Sequence, residues 1–333
     1  MTSIMNKSGG TLVGIGEALI DMIPDKSGVD FGQISSFSPR TGGAPANVCG
    51  AYSKLGGKSV MLTKLGDDLF GHKIEKDLAH AGVDTSYIRF TGEARTALAF
   101  VSLDPDGGRS FSFYRAPSAD MLYSRDEVPE EVFDNAFALH FCSVSLGDFP
   151  MKDAHLKAIE YARAKGVLVS FDPNLRLMLW DDHNALKRTI KEFIPCCDIL
   201  KISDEELEFI TGTSSIEQAL PDLFASNVKL LLYTCGAEGA AAYTKKTSSR
   251  APALQVKACD TTGAGDAFTG AFLRYIGSCG ITPDTLEDIS CVTLTEALGF
   301  ACAYSGLSVK KTGAIPSYPT KEEMAALGFG GLS

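Results

Sequence analysis

Seven residues late in the chain, Asp260-Thr-Thr-Gly-Ala-Gly-Asp266, set two glycines and two carboxylates directly ahead of AFTGAFLRYIG, a stretch that reads as a helix. Gly263-Ala264-Gly265 can turn consecutive amides toward one oxyanion at a helix N-terminus, where the helix dipole favours negative charge. Glycine suits such a turn because a side chain would hold a phosphate away. Asp266 is out of place in a simple anion loop, since its carboxylate would repel the anion. Two readings stand: it caps the helix, as Asp often does, or it accepts a proton from a hydroxyl nucleophile. The stretch alone leaves them balanced.

The elements that must position this turn are legible as alternating runs. TLVGIG (11–16), FALHFCS (137–143), VLVSFD (167–172), DILKIS (198–203) and KLLLYT (229–234) are near-continuously apolar. Strands buried on both faces of a parallel sheet look like this. Helical stretches that end on glycine lie between the strands, among them MKDAHLKAIEYARAKG (151–166), PANVCGAYSKLGG and LFGHKIEKDLAHAG. The alternation predicts an α/β fold, a doubly wound, mostly parallel sheet flanked by helices. Residues 19–40 and 95–115 differ: they have β character and turn signals such as PDGG. They read as a small antiparallel β lid, whose apolar face needs a ligand or a second copy to cover it. The domain is expected to span 11–320, with 1–10 a loose tail rather than a signal peptide.

Composition narrows the classes. The chain has 333 residues and a formal net charge of -10. Such acidity disfavours nucleic acid and anionic membrane as partners, so any phosphate site must be built locally. No apolar run is long enough to span a membrane. Nine cysteines without a CxxC pattern, and five scattered histidines, argue for reduced thiols in a cytoplasmic protein and against zinc. Two glycine motifs are decoys. LGGKS (55–59) has Tyr52 where a P-loop needs glycine and follows a helix instead of a strand. GIGEAL (14–19) ends on Leu19 where a dinucleotide fingerprint needs glycine, so a dehydrogenase is disfavoured. Gly14 and Gly16 are instead read as letting a strand end pass close to its neighbours.

DTTGAGD, together with GGAPANVCGAYSKLGGKSVMLTKLGDDLFG (42–71) some 200 residues earlier, resembles the two signatures of the ribokinase-like (PfkB) carbohydrate kinases. The resemblance runs from TLVGIGEALIDMIP to VKKTGAIPSYPT and so covers nearly the whole chain. It implies that Asp266 is the catalytic base and that Gly263, Ala264 and Gly265 form the anion hole for the transferred phosphoryl. Asp21, Gly42, Gly43 and Asn47 are then implied to bind sugar. TCGAEG (234–239) resembles the family's T-x-G-x-x-G, which places Thr234, Gly236 and Gly239 against ATP; a hairpin between two strands is compatible with that role. The family's magnesium motif, N-x-x-E, is met by SDEE, so Ser203 replaces the Asn. Glu206 remains to act on Mg2+ through water, with Lys201 supplying charge to the phosphates. Asp260 and Thr262 are implied for a monovalent cation such as K+. Within the family, SFDPNLRLMLW (170–180) and the stretches 94–122, 198–212 and 311–316 look most like fructokinases. Asn174 and Arg176 would lie near the acceptor, with Arg95 and Arg115 reaching in from the lid. Fructose is the expected acceptor; ribose, 2-keto-3-deoxygluconate and nucleosides are handled on the same scaffold. The resemblance also implies a homodimer clasped through the lid. A sugar sensor without activity would lack the base or the glycine turn, and both are present.

Overall fold

A computed structural model describes residues 10–26, 28–29, 31–103 and 109–329. The expected loose tail and the PDGG turn at 105–108 lie outside the described residues, save Gly10 of the tail. The strands are β1 (Thr11–Ile15), β2 (Leu19–Pro24), β3 (Phe37–Gly42), β4 (Ser59–Leu62), β5 (Lys64–Gly66), β6 (Val83–Asp84), β7 (Arg89–Thr91), β8 (Leu98–Leu103) and β9 (Arg109–Tyr114). They continue with β10 (Ala136–Cys142), β11 (Leu168–Asp172), β12 (Ile199–Ser203), β13 (Leu230–Thr234), β14 (Ala240–Tyr243) and β15 (Ser248–Ala251). Nine of them form the main sheet in the order β15-β14-β13-β12-β11-β10-β1-β4-β6. It is parallel from β13 to β6, and only the β13–β14–β15 edge runs antiparallel.

The helices divide between the two faces. On one face lie α1 (Ala44–Lys54) and α2 (Leu69–His80); on the other, α3 (Pro150–Ala164), α4 (His183–Phe193), α5 (Asp204–Thr211) and α6 (Ile216–Phe224). The last three, α7 (Ala264–Ser278), α8 (Cys291–Ser308) and α9 (Lys321–Ala326), join the first face. Strand residues alternate between the two cores: Leu12 packs with α1 and α7, while Val13 and Ile15 pack with α3. Each large apolar side chain removed from water in this way contributes roughly 1.5–3 kcal/mol, which offsets chain ordering and fixes the layers. The parallel strands all end on the same edge, which therefore collects loops from β1, β10, β11, β12 and β13; ligands of open α/β sheets bind at such an edge.

The small sheet has the order β3-β2-β8-β9. Two antiparallel hairpins, β2–β3 and β8–β9, meet along a parallel β2–β8 seam. Buried and half-buried polar groups bolt the chain where it crosses between lid and body. Glu17, just before β2, accepts from the amide of Ala44 at 3.2 Å and from Ser145 Oγ at 2.8 Å. Asp68 accepts from Thr96 N and Thr96 Oγ1, both at 2.9 Å, just before β8. Arg115, directly after β9, pairs with Asp120 at 2.5 Å and donates to the Val144 carbonyl and Ser145 Oγ. Gly43 takes φ 100° beneath this junction, where a Cβ would press on the Glu17 carbonyl.

Candidate active site

The turn ahead of α7 is held from three sides. Asp260 accepts from Thr262 N and Oγ1 through one oxygen and from Gly313 N through the other. Ser305 Oγ donates to the Ala264 carbonyl at 2.8 Å. Tyr318 donates its hydroxyl to the Gly263 carbonyl at 2.8 Å. Gly263 is the N-cap residue at φ 73°, and a Cβ there would run into both Tyr318 and Ala314. Its glycine is therefore demanded twice, by dihedral angle and by space. The side chains of Asp260 and Thr262, expected at a cation site, brace the turn.

Asp266 follows in the first turn of α7, 8% exposed. Its carboxylate is not turned back on the helix amides. It accepts from Asn47 Nδ2 at 2.8 Å, on the neighbouring helix α1. The capping reading is thereby set aside. Burial raises the Asp266 carboxyl above the ordinary aspartate range; the Asn47 hydrogen bond and the charges of Arg176 and Lys201 oppose that rise. A buried carboxylate more basic than usual suits proton acceptance. Asn47 Oδ1 is itself buried and meets no protein donor, so the same amide that orients Asp266 retains an acceptor for a ligand hydroxyl.

Lys201, on β12, brings a cation to this turn. A Cβ placed on Gly265 would lie 3.7 Å from Lys201 Nζ. The ammonium is 3.3 Å from both carboxylate oxygens of Asp172, at the end of β11, and 3.9 Å from Glu206 Oε2. Burial lowers the lysine, but Asp172 and Glu206 outweigh it and hold Lys201 above the ordinary range. Burial raises Asp172, and Lys201 opposes it. Burial would also raise Glu206; the Lys201 charge and the amides of Ser203 and Leu175 reverse that and hold it low. The SDEE stretch is a capping box on α5, with Ser203 at its N-cap and Glu206 reaching back to Ser203 N at 2.9 Å. Asp204 and Glu205 are exposed, whereas Glu206 is buried.

The loop after β11 carries Asn174 and Arg176. Asn174 takes φ 47° and donates its amide to Asp172 Oδ1 at 3.1 Å. The Pro173 carbonyl accepts from Ser143 N and Oγ, and Leu175 N donates to Glu206 Oε1 at 2.8 Å. This short loop is therefore fixed by three elements at once. Arg176 lies half-buried, close enough for its charge to lower the Asp266 carboxyl.

On the lid side, Asp21 of β2 sits against Gly42: a Cβ on Gly42 would collide with Asp21 Oδ2. Burial first, then the charges of Asp266, Tyr304 and Asp21, push the Tyr318 hydroxyl up, which places Asp21 and the base within one electrostatic neighbourhood. Arg95 is exposed beside the Thr96 crossing. Arg115, expected to reach into the cleft, is buried and engaged by Asp120 at the hinge, so the structure corrects that expectation. Thr234, Gly236 and Gly239 form the β13–β14 hairpin on the same sheet edge; a Cβ on Gly239 would strike the Ala251 carbonyl. Sequence reading missed Asp172, Glu17 and Tyr318. Only Asp172 left a signal there, as a carboxylate closing the apolar run VLVSFD.

A glycine turn at a helix N-terminus, a buried carboxylate beside it and a lysine near it lie together at the carboxyl edge of a doubly wound sheet. The chain is matched over residues 10–321 by the pfkB family carbohydrate kinase model, and it belongs to that family. It is 45% identical to fructokinase-2 of Solanum lycopersicum over 97% of this chain and 98% of that protein. Among solved structures, fructokinase of Xylella fastidiosa with bound ATP superposes with a TM-score of 0.86 at 34% identity, covering 95% of this chain and 97% of the other. A double-mutant fructokinase from Vibrio cholerae O395, with fructose, ADP and potassium ion bound, gives 0.87 at 33% identity, covering 96% and 99%.

Proposed function

We propose that the protein transfers the γ-phosphoryl group of ATP to the primary 6-hydroxyl of fructose, giving fructose 6-phosphate and ADP. The observation that carries this reading is the Asp266 carboxylate, oriented by Asn47 beside the Gly263–Gly265 turn with Lys201 over Gly265. Its substrates are those borne by the similar fructokinases. Asp266 takes the proton of the sugar hydroxyl as its oxygen bonds to the γ-phosphorus and the bond to the ADP oxygen breaks. Turn amides, Lys201 and Arg176 stabilise the charge on the three equatorial oxygens. Asp21, Gly42, Gly43, Asn47 and Asn174 would position the sugar, and Thr234, Gly236 and Gly239 the nucleotide.

Among the described residues no cluster of three or more His, Cys, Asp or Glu could hold a metal by itself. Both Glu206 oxygens already accept backbone amides. This donor set fits magnesium held chiefly by the nucleotide phosphates, with Glu206 acting through water; once bound it would neutralise charge on the β- and γ-oxygens. A monovalent cation would rest on carbonyl oxygens near the Asp260-braced turn. Closure of the small sheet over the sugar would keep water from the γ-phosphate. Phe31, Phe37, Phe100 and Tyr114 make a chain of ring contacts at 5.1–5.7 Å along that sheet, with Phe31 56% and Tyr114 65% exposed. Such a strip supports a homodimer clasped through the lids. Among the described residues no helix is long and apolar enough to cross a membrane, and nine unpaired cysteines fit a reducing compartment such as the cytoplasm. A coupled assay with ATP, magnesium and a panel of ketoses, aldoses and nucleosides tests the proposal. Fructose should give the highest kcat/KM; preference for another acceptor, or no turnover, would overturn it.

A further inference from the structure

We infer that Asp172 is a positioning residue for the phosphoryl transfer, holding Lys201 against the α7 turn and tying that lysine to the loop that presents Asn174 and Arg176. The inference rests on the reading of the site as a sugar kinase.

The geometry is a two-way clamp. Asp172 is buried at the C-terminal end of β11, 1% exposed. Its two oxygens stand equidistant from Lys201 Nζ at 3.3 Å, whereas Glu206 at 3.9 Å lies beyond hydrogen-bond reach. Glu206 is already committed to Ser203 N and Leu175 N, so Asp172 is the carboxylate that fixes where the ammonium sits. A lysine head on a four-carbon stem is a point charge with no fork of its own to set its direction. Without Asp172 it would be free to swing about that stem. With Asp172 it is held on the side from which a Cβ of Gly265 would be 3.7 Å away, where the anion hole must place a phosphoryl oxygen. An ammonium has three donors, enough to keep the Asp172 fork while meeting an oxyanion.

The second arm of the clamp reaches the acceptor side. Asp172 Oδ1 also accepts the amide of Asn174, whose φ of 47° is a conformation that asparagine tolerates better than most residues. One carboxylate therefore sets both the cation on the phosphate side and the turn on the sugar side. Its contribution should be felt when charge develops on the phosphoryl group more than when either substrate binds.

Asp172→Asn separates these arms, because its amide oxygen still accepts from Asn174 N while the charge facing Lys201 is gone. Steady-state kinetics, together with calorimetric binding of ADP–magnesium and fructose with and without aluminium fluoride, read the outcome. The expected result is a kcat lower by about 10- to 100-fold, at or below the ~10²–10³ cost of losing one direct stabiliser of transition-state charge, because Lys201 itself remains. KM for fructose should stay within about threefold, and the aluminium fluoride complex should lose most of its tightening. Lys201→Met combined with Asp172→Asn should be little worse than Lys201→Met alone, because Asp172 acts through Lys201. Should Asp172→Asn be insoluble, Asp172→Glu, which keeps the charge but displaces it, should still lower kcat at least about fivefold with KM for fructose held. Unchanged kcat and undiminished tightening, or additive losses in the double variant, would overturn the inference. If the wild type prefers a sugar other than fructose, the acceptor reading fails, and the same comparison made with that sugar still decides the role of Asp172.

Discussion

Asp172, Lys201, Glu206 and Asp266 lie buried at the rim of a sheet whose strands are covered on both faces. Phe31, Phe37, Phe100 and Tyr114 form a strip of ring contacts along the four-stranded sheet and the turn before β3, and two of the four are more than half exposed. The floor of the cleft concentrates charge in low dielectric, where each carboxylate and cation fixes its neighbour's position and ionisation. The lid crossings are tied by Glu17, Asp68 and the Arg115–Asp120 pair, and the lid side exposes Phe31 and Tyr114. Groups that must be preorganised for chemistry therefore sit on the more deeply packed element. Groups we propose to select the sugar, Asp21 and Arg95 among them, lie on or beside the element held through a few junctions.

If that division is right, floor substitutions act on turnover and lid substitutions act on binding or assembly. The largest effect is expected for Asp266→Asn: fructose affinity close to wild type by calorimetry, and kcat lower by about 10²–10⁴, the range for one general base. A variant with full turnover would remove Asp266 from proton transfer. Next is Asn47→Ala. Its amide opposes the rise that burial imposes on Asp266. Removing it raises the carboxyl further, and the base works only when ionised. The acid limb of the kcat/KM profile should therefore move to higher pH, with kcat at neutral pH about tenfold lower, as expected for a lost hydrogen bond to a charged group. A limb left in place would mean that the 2.8 Å contact does not tune the base. Arg95→Ala should raise KM for fructose by about three- to tenfold, one hydrogen bond's worth, and leave kcat nearly alone; a fall in kcat alone would blur the division between floor and lid. The smallest effect on turnover is expected for Phe37→Ser. Sedimentation should show the dimer weakened by about 10- to 100-fold, the scale of one buried aromatic, with kcat held at saturating substrate. A monomeric wild type would dismiss the clasp.

What was legible in the sequence follows the reach of each interaction. The β1, β10, β11, β12 and β13 strands announce themselves because burial on both faces makes each run apolar within a few residues. The Asp266 turn announces itself because glycine, helix start and carboxylate are adjacent. The lid hairpins were visible, but their joining along a parallel β2–β8 seam was not: that pairing links residues 78 apart, Ile20 to Leu98, and leaves no local period. Arg115 illustrates the same limit. Its partner Asp120 is near in sequence, but the Val144 carbonyl and Ser145 that complete its burial come from another loop. Asp172 looks like a turn acid closing a strand until Lys201, from the adjacent strand, is placed against it.

We propose that the migrating phosphoryl rests on the amides of residues 263–266 while the buried carboxylate of that helix turn faces the sugar oxygen. A crystal structure with ADP, aluminium fluoride and fructose, lid shut, measures this directly. The expected result is the fluoride group over Gly263–Gly265, with Asp266 about 2.6–3.2 Å from the primary hydroxyl of the sugar. A fluoride group seated away from that turn, or a sugar whose primary hydroxyl meets a different base, would contradict it.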